Sequence, residues 1–117
     1  MKNNELECLK RKLAEFAVKR DWDKFHSPKN LSMAIAGEAG ELVEVFQWLS
    51  EEESKTLTSK QVAQAKEEIA DVFLYLLRIS DKLDIDLVEA ANKKIEINAA
   101  KYPVERCYGV SKKYNEL

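Results

Sequence analysis

Apolar residues at helical spacing, carried through long segments nearly free of glycine and proline, are what most restrict the folds open to this chain. Between about residues 58 and 83, Val62, Ala65, Ile69, Val72, Phe73, Leu76 and Leu83 recur at the spacing of one helix face. No segment sustains the alternation of period two that a half-buried strand requires. Three glycines and two prolines in 117 residues supply too little turn chemistry for a many-stranded architecture. The spacing therefore predicts an all-α, four-helix-bundle-like protomer.

Caps and periodicity place the helices. The first is expected from about residue 4 to 20, with Leu6, Leu9, Leu13, Phe16 and Ala17 on one face. The stretch RDWDKFH follows as a loop. Ser27 before Pro28 is an N-cap with proline at the first helical position, which predicts a second helix ending near Ser50. The polar segment EEESKTLTSK separates it from a third helix beginning at Thr58 or Ser59 and running to about Leu83. Asp86 and Glu89 read as the capping box of a fourth helix, which reaches Lys101 and stops at Tyr102-Pro103. The chain is read as one domain over 1–117, with its core over about 4–103 and a tail over 104–117 forming a short turn or an arm. Three or four such helices leave a thin core, so oligomerisation is expected.

Charge and composition remove several classes of function. A net charge of −2 offers no electrostatic footprint for nucleic acid. No apolar run approaches the roughly 18 residues of a membrane span, and MKNNELECLKRK lacks the apolar stretch of a signal peptide. Cys8 and Cys107 have neither metal nor redox spacing and read as free thiols of a reducing compartment. A cytoplasmic protein without membrane or nucleic-acid partners is the expectation.

One feature resists a purely structural reading. In GEAGELVEVFQW, Glu38 and Glu41 fall where the buried stripe of the second helix runs, framed by Gly37 and Gly40. A spacing of three sets their Cβ atoms roughly 5–6 Å apart. The third helix repeats the device with Glu68 and Asp71, and Tyr75 shares their face. Unpaired buried carboxylates are unfavourable by several kcal/mol or take up protons, so a cation is expected to compensate. Oxygen ligands suit Mg²⁺, whereas zinc would want His or Cys and a di-iron bundle would want Glu-x-x-His, which does not occur here. An E-x-x-E on an acidic helix is ordinarily a solvated face, and from the residues alone a solvated face and a metal site both stand. The two glycines are expected to let a neighbouring helix approach closely.

The order of segments FAVKRDWDKFHSPKNLSMAIAGEAGELVEVFQW, EEIADVFLYLL and NKKIEINAAKYP resembles the MazG-like nucleotide pyrophosphohydrolases. Within the all-α NTP pyrophosphatases it is most similar to the dCTP-pyrophosphatase-type branch, over roughly residues 9 to 103. The defining E-x-x-E and E-x-x-D of that family are here Glu38-x-x-Glu41 and Glu68-x-x-Asp71. The resemblance implies Mg²⁺-dependent cleavage of a (d)NTP between the α and β phosphates, with Mn²⁺ as a substitute, and a house-cleaning role in the nucleotide pool. It implies that Glu38, Glu41, Glu68 and Asp71 hold the metal, and Glu41 is the carboxylate chosen as proton acceptor.

The same resemblance implies that Trp22 and Trp48 border the nucleobase and that Tyr75 lies beside the sugar, which would favour deoxynucleotides. It also implies that the stripe Lys94, Asn98 and Lys101 faces the phosphates, and that the protein is a homo-oligomer, a dimer of dimers with pockets built across subunits. Leu13 is apolar where members of that branch carry a polar base-contacting residue, which weakens a claim of cytosine specificity. His26 reads as a packing or capping residue outside the chemistry. The competing reading is a non-catalytic nucleotide-sensing or interaction module on the same scaffold; the presence of all four acids argues against it.

Overall fold

The computed structural model describes residues 4–117, all helix, turn and coil, with no strand among them. The helices are α1 (Asn4–Lys19), α2 (Pro28–Phe46), α3 (Glu51–Lys55), α4 (Ser59–Lys82), α5 (Leu87–Lys101) and α6 (Val104–Cys107). Short 3₁₀ turns occupy Asp23–Phe25 and Tyr114–Glu116. Two compact units divide the chain, one running to Ile85 and the other from Asp86 to Leu117.

In the first unit α4 is the central element, packed along α2 and more briefly along α1. His26, just before α2, touches Arg78, whereas Glu38 and Glu41 meet Glu68 and Asp71, so α2 and α4 run antiparallel. Ser27 caps α2 as read from the residues, and of the two starts left open for the next long helix the cap falls on Thr58. Ser27 Oγ accepts from Asn30 N–H at 3.1 Å ahead of Pro28, and Thr58 forms a capping box with Gln61. The expected helix end near Ser50 is corrected: α2 stops at Phe46, because Ser50 and Glu53 form a capping box that starts α3.

Both α1 and α4 terminate in Schellman turns with an aspartate in the left-handed position that glycine usually takes. Asp21 has φ 55°, with Trp22 N–H bonded to Ala17 O at 2.8 Å and Asp21 N–H to Val18 O at 3.1 Å. Asp84 has φ 54°, with Ile85 N–H bonded to Ser80 O at 2.8 Å. The first of these turns aims Trp22 back across α1.

The core is thin, as the helix count implied. Ala17, Leu31, Ala65 and Leu77 are the buried apolar residues of the described chain. The expected seam of α4 splits: Ala65 is buried and Val72 half-buried, while Val62, Ile69, Phe73, Leu76 and Leu83 stay exposed. At 100° per residue the apolar stripe is wider than α1 and α2 cover, and its outer edge stays exposed among the described residues.

In the second unit, Asp86 accepts from Glu89 N–H at 3.0 Å, one of the two bonds of the expected capping box, and α5 ends at Lys101 as anticipated. The tail holds more structure than a single turn. Tyr114 meets Tyr102 edge-on, with ring centroids 6.2 Å apart, and lies 4.9 Å from Lys101 Nζ.

Candidate metal and nucleotide site

Glu38 and Glu41 leave α2 one turn apart, and Glu68 and Asp71 leave α4 in the same way. The antiparallel packing brings the two pairs together, so that one oxygen from each of the four lies within 4.8 Å of the others. Among the described residues no basic side chain pairs with any of them. Glu38 Oε2 and Glu68 Oε2 are buried without a hydrogen-bond partner. Burial first, and then the neighbouring Glu41 carboxyl, push Glu38 and Glu68 above the usual carboxylate range. Buried, unpartnered oxygens converging from two helices are what a hard divalent cation satisfies, so this donor set fits Mg²⁺. Glu41 is the most exposed of the four.

Gly37 and Gly40 do not serve the expected close approach: a Cβ at either position would meet nothing within 4 Å. The acids are brought together by the register of α2 on α4, not by a glycine-lined contact.

Asp71 also belongs to the wall of a cavity of about 400 Å³, within the range of small-molecule pockets. From α1 come Leu9, Lys12, Leu13 and Phe16; from the following turn, Trp22 and His26; from α4, Asp71, Leu74, Tyr75 and Arg78. Trp22 packs edge-on against Phe16, centroids 5.8 Å apart, and Arg20 covers the other ring contact with its guanidinium carbon 3.5 Å from the Phe16 centroid. Leu9, Leu13 and Phe16 belong to the apolar face read from the sequence, here turned to a cavity, and Lys12 adds a basic side chain beside them.

A charged network fastens the turn that carries Trp22. Arg78, buried on α4, donates from Nη2 to Asp23 Oδ1 at 2.5 Å and from Nε to His26 Nδ1 at 3.2 Å. Lys82 Nζ reaches the same Asp23 oxygen at 2.5 Å, and Asp81 lies 3.5 Å from Arg78 Nη1. The hydrogen bond from Lys82, with the charges of Lys82 and Arg78, holds Asp23 below the ordinary aspartate range. Burial, then the Arg78 charge, lowers His26.

Of the residues singled out from the sequence, the four acids meet, and Trp22 and Tyr75 line the cavity that Asp71 borders. Trp48 lies beyond the end of α2, is 86% exposed and takes no part in that cavity. Lys94, Asn98 and Lys101 belong to the second unit, exposed on α5. Arg78 and Asp23 escaped the sequence reading. Their signal was present in part: Arg78 follows Asp71 and Tyr75 at i+7 and i+3, on the same helix face.

The profile of the MazG-like family matches residues 33–117. The chain is 41% identical over 114 residues to dCTP pyrophosphatase 1 of Mus musculus, spanning 96% of this chain and 67% of that protein. It is 40% identical to dCTP pyrophosphatase 1 of Homo sapiens, with the same shares covered. The crystal structure of a pyrophosphatase from Archaeoglobus fulgidus superposes with a TM-score of 0.81 at 40% identity, covering 88% of this chain and 96% of that one.

Proposed function

This chain belongs to the MazG-like family, and we propose that it is a nucleoside triphosphate diphosphatase that cleaves a deoxynucleoside triphosphate, dCTP or a related dNTP, between its α and β phosphates. The observation that carries this reading is the junction at Asp71, where a cluster of four carboxylates with two orphaned oxygens opens onto an apolar cavity. A nucleotide needs both: a divalent cation for its phosphates and an apolar recess for its base. Mg²⁺ held by Glu38, Glu41, Glu68 and Asp71 supplies neutralisation of the phosphate charge, with Mn²⁺ as a substitute.

The chain's own groups do the rest. Glu41, the carboxylate most open to solvent, accepts the proton of the water that attacks the α-phosphorus, and pyrophosphate leaves. Trp22, braced by Phe16, offers a face for the base. Tyr75 lies one turn beyond Asp71 on the same wall, where its ring crowds a 2′-hydroxyl and favours deoxyribose. Lys94, Asn98 and Lys101 are assigned to the phosphates on the family resemblance, as point charges and a donor.

We assign the protein to a homo-oligomer, a dimer of dimers, in which Trp48 closes a base pocket of a neighbouring copy. Support comes from the uncovered edge of α4, where Val62, Ile69 and Phe73 remain exposed at one helix face, and from the exposure of Trp48 itself. Light scattering on the purified protein checks the assembly, and a monomer would refute it.

Incubation with a panel of canonical and modified NTPs and dNTPs, with and without Mg²⁺, tests the activity. Pyrophosphate and the monophosphate are the expected products, with dNTPs preferred. Release of orthophosphate, or turnover in the presence of EDTA, would overturn the proposed chemistry.

A further inference from the structure

The segment after α5 is folded back by its own sequence. Pro103 stands between α5 and α6 and caps the single turn of α6. Tyr108, at φ −56° and ψ 116°, and Gly109, at φ 74°, then form a type II turn closed by Val110 N–H donating to Cys107 O at 2.9 Å. The third residue of such a turn lies in the left-handed region, which is why glycine stands there. The chain beyond ends in a 3₁₀ turn, where Glu116 N–H donates to Lys113 O at 2.8 Å. It sets the Tyr114 ring against the C-terminal end of α5.

That ring is engaged twice. Tyr102 meets it at 89° with centroids 6.2 Å apart, and Lys101 Nζ lies over it, 4.9 Å from the centroid. Perpendicular rings and a cation over a ring are both favoured by the ring quadrupole. Tyr114 Oη has no hydrogen-bond partner among the described residues, so the ring alone makes these contacts. Lys93 on the same helix pairs with Glu89 at 3.4 Å, whereas no carboxylate pairs with Lys101 among the described residues. The difference matters for an anion. A carboxylate would hold Lys101 by cancelling its charge, but a ring holds it and leaves both the charge and the three N–H donors available.

We propose that Tyr114 is a positioning residue for Lys101: the returning tail holds this ammonium in place, without neutralising it, for the β and γ phosphates of the nucleotide. The inference rests on the nucleotide reading above and adds to it the segment after Pro103, which that reading leaves without a role.

Two measurements test it. In ¹H–¹³C NMR spectra the ring current of Tyr114 should shift the ε-methylene protons of Lys101 upfield, a resonance identified by its loss in Lys101→Met. Tyr114→Leu should return it to the position of an exposed lysine. In kinetics with dCTP and Mg²⁺, Tyr114→Leu should raise KM about two- to fivefold with a smaller change in kcat, the scale of an exposed cation–π contact. Tyr114→Phe, which keeps the ring face, should recover most of that loss. In a Lys101→Met background Tyr114→Leu should add nothing to KM, because a residue that acts through Lys101 has no effect once Lys101 is gone. An unshifted Lys101 resonance in the wild type, an unchanged KM in Tyr114→Leu, or an equal rise in KM with and without Lys101 would overturn the inference while leaving the proposed activity standing. A wild-type protein that hydrolyses no nucleotide overturns the proposed activity and this inference with it.

Discussion

Arg78 Nη2 lies 2.5 Å from Asp23 Oδ1, and this pair ties the turn that bears Trp22 to the helix that bears Asp71 and Tyr75. The two walls of the cavity are thus joined by an ionic contact, while the Schellman turn fixes Trp22 at the end of α1. A buried guanidinium left without its carboxylate is strongly unfavourable, so the contact matters more than an exposed ion pair would.

Asp23→Asn keeps the shape of that side chain and removes its charge. It should lower the melting midpoint and raise KM for the nucleotide severalfold while kcat falls less. In the wild type, Asp23's depressed pKa contributes stability above the ordinary aspartate pKa, lost as pH falls through the folded value. Asp23→Asn should therefore flatten the acid side of the stability profile measured by thermal melting. Identical profiles for variant and wild type would remove the fastening role.

Glu41→Gln should reduce pyrophosphate release by about 10²–10⁴-fold, the scale of a lost proton acceptor, while helical circular dichroism persists. Retention of more than a tenth of the activity would refute the assignment of Glu41.

Glu38 and Glu68 have raised pKa values, so the folded protein binds more protons than the unfolded chain above the ordinary carboxylate range. Without metal, these groups make stability fall as pH rises toward neutrality. A cation removes that penalty, so the rise in melting midpoint on adding Mg²⁺ should be larger at neutral pH than near pH 5, about one unit above the ordinary carboxylate range. His26, whose pKa is lowered, acts with the opposite sign as pH falls through the histidine range. For that reason the Mg²⁺ increment at each pH, not the raw melting curve, is the quantity to compare. An increment that does not depend on pH would contradict the coupling of the four carboxylates.

Gly37 and Gly40 lie in the interior of α2 with open space where a Cβ would stand. Alanine at either position should stabilise the fold by about 0.5–1 kcal/mol, because it reduces the entropy of the unfolded chain and meets no clash. Chemical denaturation of Gly37→Ala and Gly40→Ala measures this directly. Destabilisation by alanine would reveal a close contact supplied from outside this chain.

Much of the site was legible in the sequence because it is written at helical spacing. Glu38 with Glu41, and Glu68 with Asp71 and Tyr75, share faces by i+3 and i+4 relations that hold in any α-helix. Periodicity does not govern a connection between helices, so it reads Trp22 and His26 as residues of a loop, and only the family resemblance gave Trp22 a place beside the base. Arg78 was hidden for another reason. It sits inside the apolar run LLRIS, where its charge gives no hint that Asp23 and His26, distant in sequence, will meet it.

The sequence by itself determined the all-α class, the caps at Ser27 and Asp86, and the pairing of acids within each helix, all of which depend on neighbours within a few residues. Only the tertiary structure decided that α2 and α4 run antiparallel with their acids in register. It alone showed that the glycines have open space beside them, that the apolar stripe of α4 is half uncovered, and that Arg78 orients His26. Those outcomes depend on which helix faces meet, and packing between distant segments is set by the whole chain at once, not by any one stretch of it.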